Sequence, residues 1–258
     1  MRSVEKKYGS GGNGLIYGSA TDKGLIRSIN EDSYTVFTNQ GDYPLVFILA
    51  DGMGGHKRGE LASSIAVEYA REQIEPVISS VGDIEHISGL LKEITEKANV
   101  KVYLGSLEDT DNKGMGTTLT IAVIYDDTLI VSHVGDCRVY LLRKNSLMRI
   151  TVDHTLVQEL VDAGSIMPAQ AAGHPKRHVL TRALGVPEYV TADTYAVSLQ
   201  KNDKVLLCSD GLHGYVQESI IRNILRKENN PAVAAQVLVN KANSSGGEDN
   251  TTVMIGYF

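Results

Sequence analysis

Four carboxylates in this chain sit where apolar runs meet glycine. Leu45-Val46-Phe47-Ile48-Leu49-Ala50 stops at Asp51-Gly52-Met53-Gly54-Gly55-His56, and Val205-Leu206-Leu207-Cys208-Ser209 stops at Asp210-Gly211. Leu129 to Val134 leads into Gly135-Asp136, and Gly246-Gly247-Glu248-Asp249-Asn250 precedes the apolar Thr251 to Phe258. Short Val- and Ile-rich runs bounded by glycine suit buried strands. An acid at such a strand end, beside the bare carbonyl of a glycine, offers two oxygen ligands to a hard divalent cation. The Asp51-Gly52 stretch alone reads first as an ordinary Asp-Gly turn. Together, four such ends meeting at one sheet edge would crowd like charges that only shared cations could relieve.

The elements that would position these acids follow from the pattern. Leu61, Ala62, Ile65, Ala66, Tyr69 and Ala70 predict one amphipathic helix, and Ile87, Leu90, Leu91, Ile94 and Ala98 a second, capped by Asp83. Thr118 to Tyr125 and Thr128 to Val134 predict a hairpin around Asp126-Asp127, and Arg138 to Leu142 continues through Lys144-Asn145-Ser146. His154 to Ala163 predicts a short helix closed by Gly164, followed by a loop-rich stretch from Ser165 to Gly185. Strands are expected at Leu15 to Ser19, Tyr34 to Thr38, Thr194 to Leu199 and Lys204 to Ser209. Helices are expected at about Glu218 to Lys227 and, with proline in its first turn, Pro231 to Ala242. Grouped strands and paired helices indicate an α+β sandwich of mainly antiparallel sheets rather than alternating βαβ units.

With 258 residues, 42% hydrophobic and 22% charged, the chain has ordinary globular composition and no linker dividing it, so one domain is expected over 15–258. Residues 1–14 carry the glycine-rich Gly9 to Gly14 and read as a tail or linker remnant outside the fold. A net charge of −6 argues against a nucleic-acid surface. No apolar run reaches membrane-span length and no signal-peptide core opens the chain, so a cytoplasmic setting is expected. Cys137 and Cys208 fall in strand-like runs and are expected as reduced thiols, without a Cys-x-x-Cys pair for zinc.

Seven motifs in order carry a resemblance. Arg27-Ser-Ile-Asn-Glu31-Asp32, Asp51-Gly-Met-Gly-Gly-His56, Met115-Gly-Thr-Thr118, Val134-Gly-Asp-Cys-Arg138, Leu180-Thr-Arg-Ala-Leu-Gly185, Ser209-Asp-Gly-Leu212 and Gly247-Glu-Asp-Asn250 resemble the metal-dependent PPM or PP2C-type serine/threonine phosphatases, in their bacterial branch. The resemblance runs from about Leu15 to the end. It implies a four-layer α-β-β-α fold, two Mn²⁺ or Mg²⁺ ions, phosphoprotein substrates, a partner serine/threonine kinase whose work is reversed, and a monomer.

Residue by residue, Asp51 resembles the acid bridging both ions and Gly52 the carbonyl ligand of one. Asp210 and Asp249 resemble ligands of the other ion. Glu31 and Asp32 match positions acting directly or through water, and Arg27 matches the phosphate-binding arginine. Asp136 is a candidate for a third ion, although Gly214 stands where many relatives carry the acid that shares it. Animal relatives place a histidine where this chain has Met53, which leaves His56 as a candidate for proton transfer. His174 and His178 fall in the stretch resembling the family's flap beside the site, and both are candidate substrate contacts, His174 first. His133 is read as a half-buried strand histidine and Arg182 as structural.

The chemistry agrees independently. Paired cations can neutralise a phosphate dianion and acidify a shared water, and an arginine adds a planar two-pronged donor. Water would be the nucleophile, with no phosphoenzyme. Cys137 and Arg143 match the Cys-x₅-Arg spacing of thiol phosphatases, but the strand-like, glycine-free interval cannot wrap a phosphate. Asp109-Thr110-Asp111 lacks the apolar strand an aspartyl-phosphate site needs. The alternative of another class is a catalytically weak module of the same fold that binds phosphoproteins. A third reading aims the same metal chemistry at other phosphoesters.

Overall fold

The computed structural model describes residues 2–7, 15–38, 44–54, 57–80, 82–171, 173–186 and 188–258. In chain order, β1 (Arg2–Lys7), β2 (Ile16–Asp22), β3 (Asp32–Thr38) and β4 (Leu45–Met53) are followed by α1 (Lys57–Ile74) and α2 (Ile84–Glu108). Then come β5 (Gly116–Thr117), β6 (Leu119–Tyr125), β7 (Thr128–Val134), β8 (Arg138–Arg143) and β9 (Ser146–Arg149). The chain continues with α3 (Leu156–Asp162), α4 (Pro168–Ala171), β10 (Asp193–Ser198) and β11 (Lys204–Cys208). It ends with α5 (Asp210–His213), α6 (Glu218–Lys227), α7 (Pro231–Ser244) and β12 (Thr251–Tyr257).

Two antiparallel sheets stack face to face. One runs β1-β2-β12-β11-β8-β9 and the other β10-β7-β6-β4-β3, with the short β5 paired to β4. The continuous apolar run of β4 is explained by what covers it. Val46, Ile48 and Ala50 face α1 and α2, while Leu45, Phe47 and Leu49 face the opposite sheet. Alternate residues thus serve two separate cores, as the pleat of a doubly covered strand requires. On the far side α7 lays Ala234, Ala235, Leu238, Val239 and Ala242 on the first sheet. The approach is close: a Cβ at Gly18 would lie 2.3 Å from the Ala232 amide. The expected four layers, helix pair, sheet, sheet and helix pair, are all present.

Most boundaries fall within a few residues of expectation. Asp83 caps α2 through the His86 amide, and Asn230 caps α7. Asp126, at φ 50°, turns the β6–β7 hairpin, and Lys144, at φ 56°, turns β8 into β9. Three differences have physical causes. Of the stretch set apart as a tail, Arg2–Lys7 pair with β2 as an edge strand, while 8–14 lie outside the described residues. The third helix starts at Leu156 rather than His154, because Thr155 is its N-cap and accepts from the Gln158 amide. His133 is fully buried rather than half-buried, since β7 lies inside its sheet with α2 packed across it.

Candidate active site

The end of β4 is fixed from both sides. Thr118 donates its amide to the Asp51 carbonyl at 2.9 Å, and its hydroxyl accepts from the Asp51 amide at 2.8 Å. The next residue must be glycine, because a Cβ at Gly52 would sit 2.1 Å from the Gly59 carbonyl and 2.7 Å from that of Glu31. Thr117 exchanges amide–carbonyl bonds with Leu184, which ties the Leu180–Gly185 motif to the same strand end. On the other sheet, Gly211 lets α5 close on β12, where a Cβ would be 2.0 Å from the Asn250 carbonyl. Asn250 then holds the loop carrying Arg27: its side chain donates to the carbonyls of Lys23 and Ile29 and accepts from the Glu31 amide. Gly247 accepts from the amides of Leu25 and Ile26. The motifs are therefore hydrogen-bonded to one another.

What they build is one cavity of about 1010 Å³, whose walls include Arg27, Glu31, Asp51, Gly52, Asp136, Asp210 and Asp249. All four strand-end acids meet there. Asp32 lies behind the wall, paired in register with Asp51. Its Oδ2 accepts from Ser209 at 2.8 Å and Thr252 at 2.6 Å, while its buried Oδ1 has no hydrogen-bond partner among the described residues.

Crowding sets the electrostatics. Burial, then Asp32, Asp210 and the other acids, push the Asp51 carboxyl well above its usual range. Burial and Asp210 likewise raise Asp136 and Asp249. Burial raises Asp32 to about 7 against the two hydroxyl bonds that favour its charge. Asp210 goes the other way. Burial pushes it up too, but the hydrogen bond from His178 leads the effects that outweigh burial and keep it low. Arg27 donates to Asp249 Oδ2 at 2.9 Å and lies 3.8 Å from Glu31. Partial burial disfavours its charge, and Asp249, Glu31 and Asp210 more than restore it.

This donor set suits hard divalent cations. Its ligating atoms are all oxygen, the buried Asp32 Oδ1 is unsatisfied, and neighbouring acids cannot all ionise without added positive charge. Among the described residues no three His, Cys, Asp or Glu side chains converge closely enough to hold an ion unaided. Each ion would therefore need further oxygen, from the backbone as at Gly52 or from water, which Mg²⁺ and Mn²⁺ sites commonly keep.

The histidines sort differently from expectation. His178 reaches the cavity, with Nδ1 3.5 Å from Asp210 Oδ2. His174 instead accepts from the Lys176 amide and is not on the wall. His56 lies outside the described residues. Sequence reasoning missed His213, whose Nε2 donates to the Asp136 carbonyl at 2.9 Å; burial holds its imidazole down at about 4, and so neutral. It also missed a chain behind Asp136. The Gly135 amide donates to His154 Nδ1 at 3.0 Å, His154 Nε2 donates to Asp193, and Arg182 pairs with Asp193 at 2.8 Å. The only available signal was proximity of His213 to Asp210-Gly211. Cys137 and Cys208 are free and buried, with thiols pushed upward by burial, and Arg143 is engaged by Asp203.

A family profile described as protein phosphatase 2C matches residues 26–242. The chain belongs to the protein phosphatase 2C family. It is 42% identical over 235 residues to the serine/threonine phosphatase stp of Listeria welshimeri, covering 91% of this chain and 92% of that one. The crystal structure of the Mycobacterium tuberculosis serine/threonine phosphatase PstP/Ppp superposes with a TM-score of 0.85 at 36% identity, over 95% of this chain and 98% of that one. The catalytic domain of the phosphatase PstP, solved with two manganese ions, gives 0.81 at 33% identity over 94% and 97%. Gly214 brings no side chain to the site; its amide donates to the Asp210 carbonyl at 2.8 Å.

Proposed function

We propose that this serine/threonine phosphatase hydrolyses phosphoserine and phosphothreonine esters of proteins at the Asp51 cavity, with water as nucleophile and no phosphoenzyme, reversing a bacterial serine/threonine kinase. The observation that carries the reading is the meeting of Asp51, Asp136, Asp210 and Asp249 with Arg27 around one cavity. Among the described residues no serine or cysteine lines it, which favours water over a covalent route.

Asp51 with the Gly52 carbonyl would hold one ion, and Asp51 with Asp210 and Asp249 the other. Glu31 and Asp32 would act through water, and Asp136 is the candidate for a third. When bound, Mn²⁺ or Mg²⁺ would supply charge to the phosphate oxygens and acidify water at neutral pH. Arg27 does what an ammonium could not: its fork engages two phosphate oxygens and orients the ester. Its present partner, Asp249, is the bond that phosphate would replace. Thr118 and Asn250 keep the strand end and the arginine loop in register, so that little reorganisation is needed at the moment of reaction. His178, which lines the cavity beside Asp210, is the flap residue we assign to the substrate contact.

The test is hydrolysis of a phosphothreonine peptide by metal-stripped protein, with Mn²⁺, Mg²⁺, Ca²⁺ or chelator added back. Turnover restored by Mn²⁺ or Mg²⁺ supports the proposal. Tight peptide binding with no turnover under any metal would replace it with the binding module.

A further inference from the structure

A second recess, of about 460 Å³, adjoins the catalytic cavity. Val186 lines both. Gly54, on the wall of the first, lies against Gly114, on the wall of the second; a Cβ there would be 3.2 Å from the Gly114 carbonyl. The two recesses therefore share a wall. The second is formed by the C-terminal turns of α2, through Tyr103 and Leu107, and by the Gly185–Val186 corner.

This wall is built to hold its shape. Buried Asn99 of α2 accepts from the Gly185 amide at 2.8 Å and donates to the Glu188 carbonyl at 2.9 Å. Gly185 takes φ 86°, and a Cβ on it would sit 2.5 Å from Val102. Yet its apolar side chains are left open to water. Leu107 is 65% exposed and Val186 57%. Leu107 also ends a stripe with Val100 and Leu104, spaced i, i+4, i+7 on α2 and all exposed. An apolar stripe at helical spacing ordinarily faces a core, and this one faces solvent.

We propose that this recess is a specificity subsite for the phosphoprotein substrate, accepting a large apolar side chain close in sequence to the phosphorylated residue. The proposal rests on the phosphatase reading, and the shared wall at Val186 beside the catalytic cavity selects the occupant. A chain whose phosphate lies at Asp51 and Arg27 can pass over Val186 and set a neighbouring side chain against Leu107 and Tyr103.

The experiment scans leucine through about five positions on either side of phosphothreonine in a serine background, a reach of about 17 Å in extended chain. Leu107→Ser and Leu107→Asp are compared with the natural chain, and p-nitrophenyl phosphate serves as the substrate that cannot reach the recess. Leucine at one or two positions is expected to raise kcat/KM roughly 5- to 20-fold, mainly through KM, the size of effect an apolar side chain gives in an open pocket. Both variants are expected to shrink that preference below about twofold while leaving p-nitrophenyl phosphate and the all-serine peptide unchanged. A flat scan overturns the subsite, as does a preference that survives both variants. A dimer that Leu107→Ser dissociates, with peptide preference intact, would assign the stripe to a second copy instead and also overturn it. No turnover of any peptide would remove the phosphatase reading and the subsite together.

Discussion

A guanidinium held between Asp249 and Glu31, with nearly half its side chain in solvent, can exchange a carboxylate for phosphate without leaving its loop. Arg27→Ala is therefore expected to raise KM for a phosphopeptide by roughly tenfold with a smaller loss in kcat, measured by steady-state kinetics. A fall in kcat at unchanged KM would place Arg27 in transition-state stabilisation alone. Deeper in the chain, burial first and then His154 hold the His133 imidazole at about 3, far below its ordinary value near 6.5. The folded form binds fewer protons than the unfolded form between those values, so stability is full above about pH 6.5 and declines as pH falls toward 3. This contribution reaches a limiting slope of about 1.4 kcal/mol per pH unit, and the stability that urea unfolding shows lost from pH 7 to pH 5 should be smaller in His133→Gln by roughly 2 kcal/mol. An identical slope in both proteins would contradict it. The strand-end acids were readable because each combines an apolar run with glycine. His213 was not, since its role depends on a one-turn helix folding back on Asp136, which no local pattern encodes.

At the scale of elements, the fit of α5 against β12 decides whether the acids of two sequence-distant motifs face one another. Gly211→Ala would drive a methyl to 2.0 Å from the Asn250 carbonyl and 2.7 Å from Thr251 Oγ1, both held in a strand end that cannot yield cheaply. The expected outcome is a loss of at least about 1–3 kcal/mol in urea unfolding, with turnover falling as Asp210 and Asp249 are pushed apart. Full stability and full turnover would show that the junction tolerates movement. The elements themselves were largely legible: β4 by its unbroken apolar run, α2 by its period and Asp83 cap, and α7 by Pro231. Where reading and structure part, a contact between elements is the cause. Thr155 takes the cap that His154 was expected to provide, and Arg2–Lys7 gain strand structure only by pairing with β2.

For the whole molecule, a net charge of −6 is less informative than where the charge is gathered. Two sheets and two helix layers bring four acids from β4, β7, β11 and β12 to one cavity, where burial and mutual repulsion oppose ionisation of Asp51, Asp136 and Asp249. The order of motifs foretold that meeting through family resemblance; composition and periodicity alone gave the strand ends and not their convergence. Cations that bind the folded form alone must stabilise it, by about 2.7 kcal/mol at a hundred times their dissociation constant, or roughly 5–10 °C in a chain of this size. The most direct test titrates metal-stripped protein with Mn²⁺, following thermal midpoint and phosphothreonine-peptide hydrolysis together, beside Asp51→Ala. In the natural chain, the midpoint should rise and turnover should appear over the same concentrations, while the variant shows neither and keeps its near-ultraviolet circular dichroism. Turnover by the natural chain in chelator, or by Asp51→Ala at the natural rate, would contradict the assignment of this cavity as a metal-dependent phosphatase site.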